Sequence, residues 1–436
     1  MSDERRTRAL EYSEMDLKAA IAEANRCLNC KSPPCKEGCP ISNDIPEFIA
    51  ALAVGDLGEA RRVIARKSNL PAICGRVCAH ELQCEGHCVL AKTGNPIRVG
   101  LLERTIADFA FEMALPLDKV PQKTRGRMAV IGSGPAGLTV AGDLAKQGFD
   151  VTVFEAMEEP GGVLLYGIPS FRLSKKITRR EIMGIEMLGV QFQTGCMIGP
   201  DLTVDQLFER GFDAIFIGTG TAIANDLQLP GRELEGIMQS SYLLRMNYLH
   251  RSGQLDREEV PIHPGDMVLV IGGGNVGVDA ARTAKGLGAA SVTVVYNGAQ
   301  ETLPALHAEY EAAVEEGVHF RFECCATEFL GDQRLEALLV STPQGEQKIP
   351  ANKILLAVGA HPANRIVSTT EGISVDADGY VVIRERPYGM TTRKGVFAGG
   401  DVVHRPATVV LAMREAKKVA VGMAEYVDAV KLLALG

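Results

Sequence analysis

Eight of the chain's eleven cysteines fall between residues 27 and 88. They form two blocks. The first is Cys27-x2-Cys30-x4-Cys35-x3-Cys39, followed at once by Pro40; the second is Cys74-x3-Cys78-x5-Cys84-x3-Cys88. Thiols at this density either pair with one another or bind metal, as zinc or as iron with sulfide. Two glycine turns offer a second kind of chemistry. GSGPAG carries Gly132, Gly134 and Gly137 around Pro135 and Ala136, the spacing that lets backbone turn tightly, approach a pyrophosphate and pack a helix closely on a strand. GGGNVG repeats the spacing with Gly272, Gly274 and Gly277, and Asn275 beside them.

Composition narrows the choice among the cysteine chemistries. At 436 residues, 46% hydrophobic and 23% charged, the chain has ordinary globular composition and a length near that of three domains. Its net charge is −8 and it shows no basic stripe with interleaved aromatics, so nucleic acid is excluded as a partner. The first fifteen residues are polar, and no apolar run reaches membrane-spanning length, so a cytoplasmic protein without membrane insertion is expected. Thiols stay reduced there, which favours metal over disulfides. Zinc would draw paired ligands four at a time, with His80 and His87 as further candidates. The two-cluster ferredoxin pattern accounts for more: three closely spaced cysteines serve one cubane and a fourth, before proline, serves the other.

The elements that must position these groups change character along the chain. Residues 14–26, 43–53, 57–68 and 96–114 read as helices; Asp44 is expected to cap the second, with Glu47 completing a capping box. Residues 115–127 read as a linker. From 127 and again from 267 the order is apolar strand, glycine turn, helix, strand, the βαβ unit of a dinucleotide-binding domain. The fold expected is therefore α/β, an all-helical iron–sulfur module followed by two Rossmann-like domains. Glu155 ends the second strand of the first unit, placed to accept from a ribose. The matching strand of the second unit ends Tyr296-Asn297-Gly298, with neither an acid for a 2′-hydroxyl nor an arginine for a 2′-phosphate. The missing cation leans towards NAD, with NADP still open. Cys324 and Cys325 read as buried structural thiols.

Pro135-Ala136 and the late segment GVFAGGDV, residues 395–402, resemble two-dinucleotide-domain flavoprotein reductases. That resemblance implies a discontinuous FAD domain. Gly400 and Asp401 would lie on the FAD, with Asp401 at its ribityl–phosphate region and the first N–H groups of a helix at Val409 and Val410 facing the flavin ring. Both cysteine blocks, PIRVGLLER, GSGPAGL, PGGVLLYGIPSFRL with Gly162, GGGNVGVDAART and GGDVV are similar, in that order, to the glutamate synthase small subunit. The flavin subunit of bacterial dihydropyrimidine dehydrogenase and the large subunit of ferredoxin:NADP transhydrogenase share the set. This family implies one [4Fe-4S] cluster on Cys27, Cys30, Cys35 and Cys88. It implies a second on Cys39, Cys78, Cys84 and Glu103, where relatives carry Glu or Gln, with Cys74 spare or replacing Glu103. The domains implied are 1–115, iron–sulfur; 124–225 with 360–436, FAD; and 226–359, NAD(P). Residues 166–169, YGIP, would lie near the isoalloxazine. Leu165 stands where relatives carry an arginine, and Asn297-Gly298 where NADP-linked members carry two.

The expected activity is hydride exchange between nicotinamide and flavin, with single electrons passing through two clusters to a partner. No catalytic acid or base is named. The partner would be a larger catalytic or electron-transfer subunit, or ferredoxin. A self-contained NAD(P)H:ferredoxin reductase and a non-catalytic docking scaffold are the rival readings.

Overall fold

The computed structural model describes residues 15–115, 120–363, 365–406 and 408–434. Two compact units divide the chain: Met1–Leu164, Phe171–Ala222 and His361–Gly436 form one, and Leu165–Ser170 with Ile223–Ala360 the other.

The first unit opens with helices α1 (Leu17–Ala24), α2 (Ile45–Ala53), α3 (Leu57–Ala65), α4 (Pro71–Val77) and α5 (Val99–Glu112). Their apolar stripes meet: Phe48, Ile49 and Leu52 of α2, Val63 and Ile64 of α3, and Leu102 and Ile106 of α5 are almost wholly buried. Each such side chain contributes about 1.5–3 kcal/mol of burial. Asp16 caps α1 and Asp56 caps α3 through the N–H groups of Ala19 and Glu59. Glu14, the expected start of the first helix, lies outside the described residues. The capping box expected on α2 does not form. Asp44 pairs instead with Lys36 at 2.5 Å and Glu47 with Arg66 at 2.6 Å, because a cation in reach binds carboxylate more strongly than a neutral N–H does.

Along the chain come β1 (Arg127–Ile131), α6 (Pro135–Lys146), β2 (Asp150–Phe154), β3 (Gln191–Gln193) and β4 (Ala214–Ile217). The second unit contributes β5 (Ile237–Gln239), β6 (Met267–Ile271), α7 (Asn275–Gly286), β7 (Ser291–Val295) and β8 (His319–Arg321). It continues with β9 (Cys325–Gly331), β10 (Leu335–Thr342), β11 (Gly345–Pro350) and β12 (Lys353–Leu356). The chain then returns to the first unit for β13 (Ile383–Glu385), β14 (Tyr388–Thr391), β15 (Val396–Ala398) and α8 (Val409–Ala434).

The first unit's sheet runs β13-β14-β15-β4-β1-β2-β3, parallel from β15 to β3. The second unit's main sheet, β5-β12-β6-β7-β8, is parallel throughout, with the antiparallel β9-β10-β11 beside it in sequence. In β1 and β6 four of five residues are buried, as in parallel sheets covered on both faces. Each glycine turn thus leaves the carboxyl end of a central strand, where open α/β sheets bind ligands. One expectation fails. Cys324 is buried, its Sγ 3.1 Å from the Phe322 carbonyl, but Cys325 is exposed, because neighbours in an extended strand point to opposite faces. Among the described residues no helix is long and apolar enough to cross a membrane.

Candidate functional site

The first glycine turn is closed on one side and open on the other. Gly132 has φ +94°, and a Cβ there would stand 2.7 Å from the Gly218 carbonyl oxygen. At Gly137 a Cβ would stand 1.9 Å from the Gly132 oxygen, whereas at Gly134 nothing lies within 4 Å. That open side is where a pyrophosphate would approach the start of α6, with its unpaired N–H groups and positive dipole end. Gly162, at φ +52°, comes down on Gly134: a Cβ would be 2.9 Å from the Gly134 Cα. Buried Glu155 is fixed at the end of β2. Its Oε2 accepts from Ser133 N at 3.0 Å and from Ser133 Oγ, its Oε1 from Met157 N at 2.9 Å. Ser133 Oγ in turn accepts from Gly161 N at 2.8 Å. Ser133 is thus a site residue that the glycine pattern alone did not flag. Of roughly four acceptor positions on the Glu155 carboxylate, about one is left for a ribose hydroxyl.

The late GGD segment lands on the same helix start. Gly400 has φ +74°, and a Cβ there would lie 2.7 Å from Ala136 Cβ. Asp401 beside it accepts no hydrogen bond among the described residues, and burial pushes its carboxyl up to about 6. At the start of α8, Leu411 N and Ala412 N both reach Thr408, while the N–H groups of Val409 and Val410 find no partner among the described residues. This chain therefore offers a cradle, an unused acid and unused donors, and they fit a flavin dinucleotide.

In the second unit Gly272 (φ +122°) packs on the Ala357 carbonyl and Gly277 on Gly272, and the side at Gly274 is again open. Asn275 has structural work: its Oδ1 accepts from Leu306 N at 3.0 Å. The Tyr296 ring lies against Gly273 and Gly298, and its hydroxyl donates to the Thr302 carbonyl at 2.8 Å. Arg321, whose carbonyl accepts from Tyr296 N, turns its guanidinium to Gln347 Oε1 at 3.3 Å. Tyr166 of YGIP is set edge-on to Tyr248 in this unit, 4.9 Å between centroids.

The cysteines line two cavities. Cys27, Cys30, Cys35 and Cys88 stand round one, with Leu28, Pro33 and Val89. Cys39, Cys74, Cys78 and Cys84 stand round the other, with Asn43, His80, Glu103 and Val410. Burial pushes the Cys35 and Cys39 thiols up to about 11, Cys84 still further, and the Glu103 carboxyl to about 8. Cys78 is raised by a hydrogen bond with Cys74 and by burial. Glu103 lines the same cavity as Cys39, Cys78 and Cys84, close enough for its charge to raise all three thiols. Burial thus favours their protonated forms, and to act as anionic ligands they would need a cation among them, which bound iron would supply.

Among the described residues no three or more His, Cys, Asp or Glu side chains converge as the ligands of a single ion do. Ringed thiols suit a cluster several atoms across. Exposed His87 lines neither cavity; it meets the Gln83 carbonyl at 2.7 Å. His80 lines the second, its ring brought down to about 4 by burial. Cys74 sits in the wall: its Sγ is 3.7 Å from Met413 Sδ on α8 and 3.9 Å from Ser68 Oγ.

Residues 5–115 match the family model "dihydropyrimidine dehydrogenase domain II, 4Fe-4S cluster", and residues 126–416 match "pyridine nucleotide-disulphide oxidoreductase". The glutamate synthase [NADPH] small chain of Halomonas elongata is 35% identical, covering 97% of this chain and 95% of its own. The NAD-dependent dihydropyrimidine dehydrogenase subunit PreT of Escherichia coli is 32% identical, covering 94% of each. Among solved structures, Mycobacterium tuberculosis FprA in complex with NADPH aligns at TM-score 0.59 and 18% identity, over 71% of this chain and 86% of its own, a likeness of fold.

Proposed function

The chain belongs to the pyridine nucleotide-disulphide oxidoreductase family, alongside glutamate synthase small chains and PreT subunits, and from that premise we propose that it is the NAD-linked electron-transfer subunit of a larger cytoplasmic oxidoreductase, carrying one FAD and two [4Fe-4S] clusters. When bound, the flavin supplies the conversion between the two-electron chemistry of a nicotinamide and the one-electron chemistry of iron–sulfur clusters.

The chain's own residues bind, orient and insulate. Gly132, Gly134 and Gly137 with the start of α6 take the FAD pyrophosphate, and Glu155 takes a ribose hydroxyl. Asp401 bonds the ribityl region, and the N–H groups of Val409 and Val410 face the ring. The turn from Gly272 to Gly277 takes the nicotinamide dinucleotide. Its strand end at Tyr296-Asn297-Gly298 brings no cation for a 2′-phosphate, which supports NAD; a ratio of NADH to NADPH turnover well above one is expected. Cys27, Cys30, Cys35 and Cys88 hold one cluster; Cys39, Cys78, Cys84 and Glu103 hold the other. Cys74 remains a wall residue.

One observation carries the order of transfer. Val410 lines the second cavity and also stands at the start of α8, where its backbone N–H has no partner among the described residues. The second cavity is therefore next to the flavin side. The first shares Ile45 and Val99 with it and is lined also by Leu28 and Val89, which are 58% and 40% exposed, so on this reading it is the exit to the partner. The test is Cys39→Ser under anaerobic conditions. NADH should still bleach the flavin but leave the first cluster oxidised by electron paramagnetic resonance, while dithionite reduces it. Reduction of the first cluster by NADH at the wild-type rate would refute the order.

A further inference from the structure

Buried Glu103 has no cation and a single donor among the described residues: the Asn43 side-chain amide, at 3.5 Å. Asn43 is itself 2% exposed and lines the same cavity. Its amide has one orientation. Oδ1 accepts the Asp44 N–H at 2.9 Å, so Nδ2 must face Glu103. One buried amide thus directs a donor at a group of the cavity 60 positions away in the chain. The turn that allows this includes Ser42 in the left-handed region, φ +49°, and closes through Ile45 N to the Asn43 carbonyl at 2.8 Å.

We propose that Asn43 is a positioning residue of the second cluster, holding Glu103 in place and stabilising the cluster's reduced, more negative state through its side-chain N–H. This rests on the reading of Glu103 as a ligand. Donors to anionic ligands favour the more negative redox state, and hydrogen bonds to charged groups are stronger than those between neutral groups. This one is long, so a modest effect is expected.

The test measures midpoint potentials and resonance spectra of the complete, anaerobically purified chain, as wild type, Asn43→Ala, Asn43→Ser, Glu103→Ala, Glu103→Gln and Asn43→Ala/Glu103→Gln. Asn43→Ala should make the second cluster about tenfold harder to reduce at a fixed poise, ~59 mV for a one-electron couple. The first cluster and the flavin should stay unshifted. Asn43→Ser, with a shorter hydroxyl donor, should recover part of the shift and stands in if the alanine variant does not fold. In the Glu103→Gln background the effect of Asn43→Ala should shrink, since a neutral amide oxygen accepts more weakly than the carboxylate. An unchanged second-cluster potential in Asn43→Ala, alongside an altered spectrum in Glu103→Ala, overturns the role of Asn43 alone. Equal shifts in both clusters overturn it as well, since they mark general loosening. An unchanged second-cluster spectrum in Glu103→Ala overturns the ligand reading and this inference with it.

Discussion

Two carboxyls carry much of the account at the level of single residues: Glu155, which already accepts three hydrogen bonds, and Asp401, which accepts none among the described residues. Asp401 is held up near 6 by burial, so the folded, flavin-free chain keeps its proton where an unfolded aspartate, near 3.9, has lost it. The sign follows. Asp401 adds nothing to stability loss below about pH 4; its contribution falls as pH climbs from about 4 to about 6 and is level above. Thermal melts of flavin-stripped protein should show Asp401→Asn flattening that stretch of the curve relative to wild type. Gly137 gives a steric prediction. Its missing Cβ would sit 1.9 Å from the Gly132 carbonyl, so Gly137→Ala must push α6 off the turn. A cost of about 1–3 kcal/mol is expected, read as a marked fall in FAD per chain after purification. The placement of Glu155 and Asp401 beside the first glycine turn was legible in the sequence because each follows an apolar strand at a motif position. Ser133, Asn43 and the wall position of Cys74 were not, since each role depends on a partner that only the fold brings near.

Helix α8 ties the late part of the chain back to the early part. Asp143 on α6 receives Lys417 of α8 at 2.6 Å and the Asn69 amide at 2.8 Å, linking cysteine module, first βαβ unit and last helix. Glu415 on α8 is a second anchor. Burial alone would raise its carboxyl, but hydrogen bonds from Tyr388, Arg414 and Lys418 outweigh that and bring it down to about 2. Tyr388 of β14 donates to it at 2.6 Å. Tyr388→Phe should cost about 1.5–2 kcal/mol in chemical unfolding, the value of a bond to a charged acceptor. The stabilisation by Glu415 is full above its unfolded value near 4.3 and is lost as pH falls towards 2, so Glu415→Gln should shallow the acid limb. Elements with strong local signals, the two strand–glycine–helix units and the helices of the module, could be read from the sequence. The cap of α2 could not, because Lys36 and Arg66 reach its first turn from outside the local pattern. Nor could the exposure of Cys325, which depends on the residue where β9 begins.

Taken whole, the molecule is a chain that starts a dinucleotide-binding unit, leaves to build another, and returns to finish the first. The return brings α8, and α8 joins flavin cradle to cysteine cavity through Val410 and Met413. This continuity is what makes a transfer protein of separate binding motifs. The central claim is that the thiol-ringed cavities hold iron and sulfide beside a flavin. Elemental and cofactor analysis of anaerobically purified protein tests it most directly. The account predicts one FAD with about eight iron and about eight acid-labile sulfide per chain, two cubanes' worth. Stoichiometric zinc, or flavin with neither iron nor sulfide, would contradict it.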